Sequence, residues 1–104
     1  MQRTLGILVT SEKYIDYVMK LSEAAGEKGV ATQIFFTGSS VSVMADSRFQ
    51  QLCRRSTIHI CEANYRSSEG LVMSFNDHGS EGHSLTSHAK NAQMVKECDR
   101  YLVF

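Results

Sequence analysis

This chain predicts an α/β fold, a single-domain sandwich with a mostly parallel five-stranded sheet and helices on both faces, and three observations carry the prediction. Short β-rich apolar runs alternate with segments whose apolar residues recur every three to four positions. The first run is nearly continuously aliphatic, as in strands buried on both faces. No proline, Gly/Ser linker, repeat or low-complexity tract divides the 104 residues, so 1–104 reads as one domain.

The first strand is Thr4 to Val9, Thr-Leu-Gly-Ile-Leu-Val. After Thr10-Ser11-Glu12, Tyr14, Tyr17/Val18, Leu21 and Ala24/Ala25 mark a helix packed on the sheet, ending near Gly26 to Gly29. Ala31 to Thr37 is β-rich and is cut off by Gly38-Ser39-Ser40; Val41, Val43, Met44 and then Phe49, Leu52, Cys53 indicate a second, broken helical segment. Thr57 to Cys61 is the third strand, followed by a short helix from Glu62 to about Ser68. Gly70 to Phe75 supplies a loop and a short fourth strand, and Asn76 to Gly82 is rich in turn residues. Ser84 to Glu97 carries Leu85, His88/Ala89, Ala92, Val95 and Cys98 at helical spacing, and Tyr101 to Phe104 is the final strand. The order β-α-β-α-β-α-(β)-α-β implies right-handed crossovers.

Composition narrows the function. Eleven Lys/Arg balance eleven Asp/Glu, leaving no long-range field to draw the chain onto nucleic acid or an anionic membrane surface. No apolar stretch approaches the roughly 20 residues that span a bilayer, and Met1-Gln2-Arg3-Thr4 runs into a strand instead of a signal-peptide core. The expected location is the cytoplasm, with neither nucleic acid nor membrane as partner. Cysteines at 53, 61 and 98 form neither a disulfide framework nor a Cys-x-x-Cys pair and read as free thiols of a reducing compartment.

Ligands of open α/β sheets bind outside the carboxyl ends of the strands. Three loops gather there: Thr10-Ser11-Glu12, Thr37-Gly38-Ser39-Ser40, and the junction at Cys61. Only the last holds a nucleophile. A thiol between a strand end and a helix start meets unpaired backbone N–H groups and the positive end of the helix dipole, and both favour thiolate over thiol. Cys61 is therefore the candidate catalytic residue, with Thr10, Ser11, Gly38, Ser39, His59 and Asn64 as candidate substrate-binding residues. His59 lies two positions before Cys61 and so on the same strand face. Cys53 shares a helical stripe with Phe49 and Leu52, and Cys98 one with Ala92 and Val95, which reads as core packing. Asp77, His78, Glu81, His83 and His88 match no metal-ligand spacing, so neither metal nor organic cofactor is expected. Arg48, Arg54, Arg55 and Arg66 would add positive charge if they converged on Cys61.

Phe35-Phe36-Thr37-Gly38 closing the second strand, Cys61 ending the third, and the terminus Glu97 to Phe104 together resemble the DsrE/DsrF-like family, which includes the TusD-type sulfur-relay subunits. The resemblance spans nearly the whole chain through order and spacing. It implies a small α/β sandwich in which Cys61 accepts sulfur as a persulfide and passes it on, with a sulfur donor and a sulfur acceptor protein as partners. Two other readings remain open: a non-catalytic module that holds a small ligand in the same pocket, and a redox-sensing thiol. Self-association to a trimer or hexamer is expected, because the core is limited, the family commonly forms closed oligomers, and Leu71, Val72, Met73 and Phe75 lie outside the clear amphipathic elements.

Overall fold

The aliphatic runs become strands in the computed structural model, whose described residues are 3–67 and 83–104. They are β1 (Thr4–Val9), β2 (Ala31–Phe36), β3 (Thr57–Cys61), β4 (His83–Thr86) and β5 (Arg100–Val103). These form one sheet in the order β4-β3-β2-β1-β5, with every neighbouring pair parallel. The helices are α1 (Ile15–Glu27), α2 (Phe49–Arg55), α3 (Glu62–Ser67) and α4 (His88–Glu97), and 3₁₀ turns occupy Glu12–Tyr14 and Gly38–Ala45.

Strand order and handedness place the helices. From β1 to β3 the chain steps one way across the sheet, and α1 and α2 pack on one face. From β4 to β5 it crosses back the other way, which a right-handed connection accomplishes only on the opposite face, where α4 lies. The cores follow from strand alternation. Ile7, Val9, Ile34, Phe36, Ile58 and Ile60 point toward α1 and α2 and join Val18, Met19, Val41, Val43, Phe49 and Leu52. Phe35 and Cys61 point the other way and meet Met94 of α4, with Leu8, Cys98 and Tyr101 alongside. On the first face the Thr32 and Ser56 hydroxyls are buried and pair with each other, so neither is left unsatisfied.

Three details depart from the sequence reading. The fourth strand described is His83–Thr86, and α4 begins only at His88, whereas helical spacing placed its start at Ser84. Leu85 pairs in register with Ile60, and Ser87 accepts a hydrogen bond from Ala89 N–H as the cap of α4, so strand pairing and capping override the spacing. Within α4 the buried residue is Met94; Val95 is exposed and Cys98 lies just past the helix end, so the buried stripe runs through Met94 and not through Ala92 and Val95. In α1 the buried stripe is Ile15, Val18, Met19 and Ser22, which turns Tyr14 and Tyr17 outward, where both rings lie against Phe104. The strand expected within 70–75 and the apolar residues Leu71, Val72, Met73 and Phe75 lie outside the described residues.

Candidate functional site around Cys61

Cys61 is the last residue of β3 and is 3% exposed. Parallel pairing places it opposite Thr86, the last residue of β4, and this register brings the following chain to the sulfur. Two residues beyond Thr86, with Ser87 as cap, His88 begins α4. Its ring lies against Phe35, with centroids 5.2 Å apart and planes at 34°. In that pose His88 Nε2 stands 3.9 Å from Cys61 Sγ and 3.3 Å from Thr37 Oγ1.

The loop after β2 completes the surroundings. Gly38 has φ +61°, and a Cβ there would fall 2.8 Å from the Thr10 carbonyl oxygen, so a side chain would be both strained and in collision. The bare turn presses the β2 loop against the β1 loop and aims Gly38 N–H at Asn64, whose Oδ1 accepts it at 2.9 Å. The Thr37 hydroxyl donates to the same Oδ1 at 2.8 Å. Ser40 holds the turn from behind: its Oγ accepts Thr37 N–H at 3.0 Å and lies 2.6 Å from the Val9 carbonyl. Thr37, Gly38, Asn64, Cys61 and His88 thus form one connected cluster from the ends of β2, β3 and β4.

The expected site residues divide into two groups. Gly38 and Asn64 join the cluster around Cys61. Thr10, Ser11 and Ser39 lie along the same end of the sheet, occupied with backbone. Thr10 N–H and Oγ1–H both donate to the Phe104 carbonyl, at 2.7 and 2.9 Å. Ser11 accepts from Lys13 N–H at 3.2 Å, and Ser39 Oγ accepts from Glu12 N–H at 3.2 Å. His59 shares the strand face of Cys61 but is buried and pairs elsewhere, Nδ1 with Ser84 Oγ and Nε2 with Gln33 Oε1, each at 3.2 Å. Burial, and to a lesser degree the Lys90 charge, hold it below the ordinary histidine value, so it is neutral at pH 7.

The other thiols are protonated near neutrality. Burial pushes Cys53 up to about 11 and raises Cys98 as well. Three of the four arginines are committed to carboxylates rather than to Cys61: Arg48 to Asp16 and Asp46 at 2.6 and 2.7 Å, Arg66 to Glu62 at 3.3 Å, and Arg55 toward Glu23 at 3.9 Å. A cleft of about 390 Å³ lies beside that Arg48 pair, lined by Glu12, Lys13, Asp16, Ser42 and Asp46 among others, and Cys61 is not part of its wall. Among the described residues no three His, Cys, Asp or Glu side chains group as metal ligands, and no helix is long and apolar enough to cross a membrane.

His88 and Thr37 are the members of the cluster absent from the expected site residues. For His88, a capping serine, Ser87, directly after the histidine-led β-rich tetrapeptide His83-Ser84-Leu85-Thr86 was the available signal that a strand ended there and a helix began with an imidazole.

No protein-family model matches the chain, and no curated protein matches it in sequence. Among solved structures it is similar to the YchN protein from E. coli, with a TM-score of 0.69 over 100% of both chains at 13% identity. YchN has a DsrE-like fold, so the likeness supports the α/β architecture.

Proposed function

We propose that this chain is a cytoplasmic sulfur carrier that holds sulfane sulfur as a persulfide on Cys61. The observation that carries the reading is the pairing at the carboxyl edge of the sheet: a sulfur at a strand end, beside an imidazole 3.9 Å away. A thiol at a strand end with an imidazole neighbour suits nucleophilic exchange. The likeness to YchN is consistent with a sulfur-relay fold at the level of architecture.

In the loading step the Cys61 thiolate attacks the outer sulfur of a donor persulfide, R–S–SH. The Cys61–S bond forms, the donor S–S bond breaks, and the donor leaves as R–S⁻ with the electron pair. Unloading is the reverse exchange with an acceptor thiolate, which takes the outer sulfur and restores Cys61–S⁻. Gly38 and Asn64 connect to the reacting sulfur through Thr37 and His88, and the Thr10-Ser11 and Gly38-Ser39 loops form the adjoining rim on which a donor or acceptor protein would seat.

Incubation with polysulfide or thiosulfate, followed by mass spectrometry, tests this. Wild-type protein gains about 32 Da, one sulfur atom, mapped to Cys61, and Cys61→Ser gains none while remaining folded. A folded Cys61→Ser protein that still accepts sulfur, or a wild-type protein that forms only sulfenic acid, sinks the reading.

Self-association to a trimer or hexamer belongs to the same proposal. Among the described residues Tyr14, Tyr17, Leu102 and Val103 expose apolar surface around the edge strand β5, Val103 being 60% exposed. Light scattering coupled to gel filtration reads the outcome directly: a mass of 11.6 kDa is a monomer and refutes it.

A further inference from the structure

We infer that His88 serves Cys61 as a hydrogen-bond donor and not as a general base, because the Gly38–Asn64–Thr37 chain fixes the proton on its Nε2. This deepens the sulfur-carrier reading and rests on it for the chemistry, though the proton's position does not depend on that reading.

The assignment follows from counting donors. Gly38 N–H can only donate, so the Asn64 atom it meets at 2.9 Å is the carbonyl oxygen and not the amide nitrogen. That oxygen has no proton to give, so the contact from Thr37 Oγ1 at 2.8 Å uses the hydroxyl's single hydrogen. Thr37 Oγ1 then has only lone pairs left for His88 Nε2, 3.3 Å away. A bare Nε2 would set lone pair against lone pair; an Nε2–H donates. The same N–H lies 3.9 Å from Cys61 Sγ and is shared with it, so the sulfur receives a hydrogen bond. Phe35 against the imidazole and the Ser87 cap at the start of α4 hold the ring in this pose.

A donor at that place acts on negative charge at sulfur. In unloading, the bond between Cys61 Sγ and the outer sulfur breaks and its electron pair returns to Sγ; in loading, the same thiolate is the nucleophile. His88 Nε2–H steadies Sγ while it carries that charge, and no proton is transferred. The acceptor enters as thiolate and departs as persulfide. His88 is therefore a catalytic residue in contact with the reacting atom. Thr37 and Asn64 are positioning residues that act through it.

Two measurements test this. Long-range ¹H–¹⁵N correlation spectra of the full chain show which ring nitrogen of His88 carries the proton in the neutral form: Nε2–H is expected, and Nδ1–H overturns the inference whether or not the protein carries sulfur. The second is the rate at which persulfide on Cys61 passes to a small thiol, in variants checked for unchanged melting. Gln places an amide N–H near the imidazole Nε2 position but cannot act as a base. His88→Gln should stay within about threefold of wild type, while His88→Ala should slow transfer about tenfold to a hundredfold, the range for a hydrogen bond to a charged group. Thr37→Val should approach the alanine variant, and Thr37→Ser, which keeps the hydroxyl, should restore the rate. Equal loss in His88→Gln and His88→Ala identifies a base, and equal retention in both removes His88 from the reaction; either result overturns the proposal. If wild-type protein takes no sulfur at all, the carrier reading fails, and the iodoacetamide alkylation rate at Cys61 replaces transfer as the readout for the same variants.

Discussion

The two faces of the sheet are cut from the same strands yet bury different chemistry. Toward α1 and α2, β1 to β3 present Ile7, Val9, Ile34, Phe36, Ile58 and Ile60, all sealed from solvent. Toward α4 the alternate positions are Gly6, Leu8, Gln33, Phe35, His59 and Cys61, and Met94 of α4 packs there. The largely apolar layer toward α1 and α2 gains the most from the hydrophobic effect, and Cys53, the thiol packed against it, is pushed up to about 11 by burial. The mixed layer gives up some of that gain and places Phe35, Met94 and the His88 imidazole around Cys61. Under the proposed function, stability and reactivity fall to opposite sides of one sheet, so a substitution on one side should leave the other's property largely intact.

The largest test of this division is Phe36→Ala, which empties a fully buried site on the aliphatic face and should cost about 3–5 kcal/mol in urea unfolding. Met94→Ala, on the other face, should cost about 2 kcal/mol, near the low end for such truncations. A reversed order would show that α4, and not the aliphatic face, holds the fold together. Gly38→Ala should cost about 1–3 kcal/mol, since its Cβ meets the Thr10 carbonyl at positive φ. It should also slow sulfur loading, because the displaced turn withdraws Gly38 N–H from Asn64; normal loading at reduced stability would separate the turn from the site.

Cys98→Ala should destabilise by roughly 1 kcal/mol and leave persulfide loading on Cys61 unchanged. Cys98 Sγ fills the notch left by Gly6, where an added Cβ would lie 3.0 Å away, so removing the sulfur opens space between α4 and β1. An unchanged melting temperature would show that the notch closes without it. The smallest effect is that of pH on His59. Its folded value lies below the ordinary 6.5, so the unfolded chain binds the proton more readily. Its contribution is complete above that pH and is lost progressively as the pH falls below it. Thermal unfolding between about pH 7 and 5 should show this decline, and His59→Gln should flatten it; an unaltered slope would assign the decline to other groups.

Much of the fold was legible because strands buried on both sides have few ways to be written. Thr4–Val9 and Thr57–Cys61 have the bounds their apolar runs suggest, and the break after Phe36 follows from Gly38, the residue that alone tolerates that turn. Where helical spacing misled, a neighbouring strand or a cap decided otherwise. Leu85 lies on an edge strand because Ile60 pairs with it, and Tyr17 faces outward because Ile15 and Met19 fill the space under α1.

The candidate site divides in the same way. Cys61 was identifiable from local sequence because a strand ending in a thiol is a property of consecutive residues. His88 was not, because its place beside that sulfur depends on the register that sets Cys61 opposite Thr86. The direction of the hydrogen bonds from Gly38 through Asn64 and Thr37 depends likewise on three loops meeting at one edge. The sequence by itself determined β1, β2, β3 and β5, the alternation of strands and helices, and a thiol at the end of the third strand, since periodicity and turn chemistry act over a few neighbouring residues. The tertiary structure decided which imidazole meets the thiol and which atom holds its proton, since both are set by contacts between residues far apart in the chain.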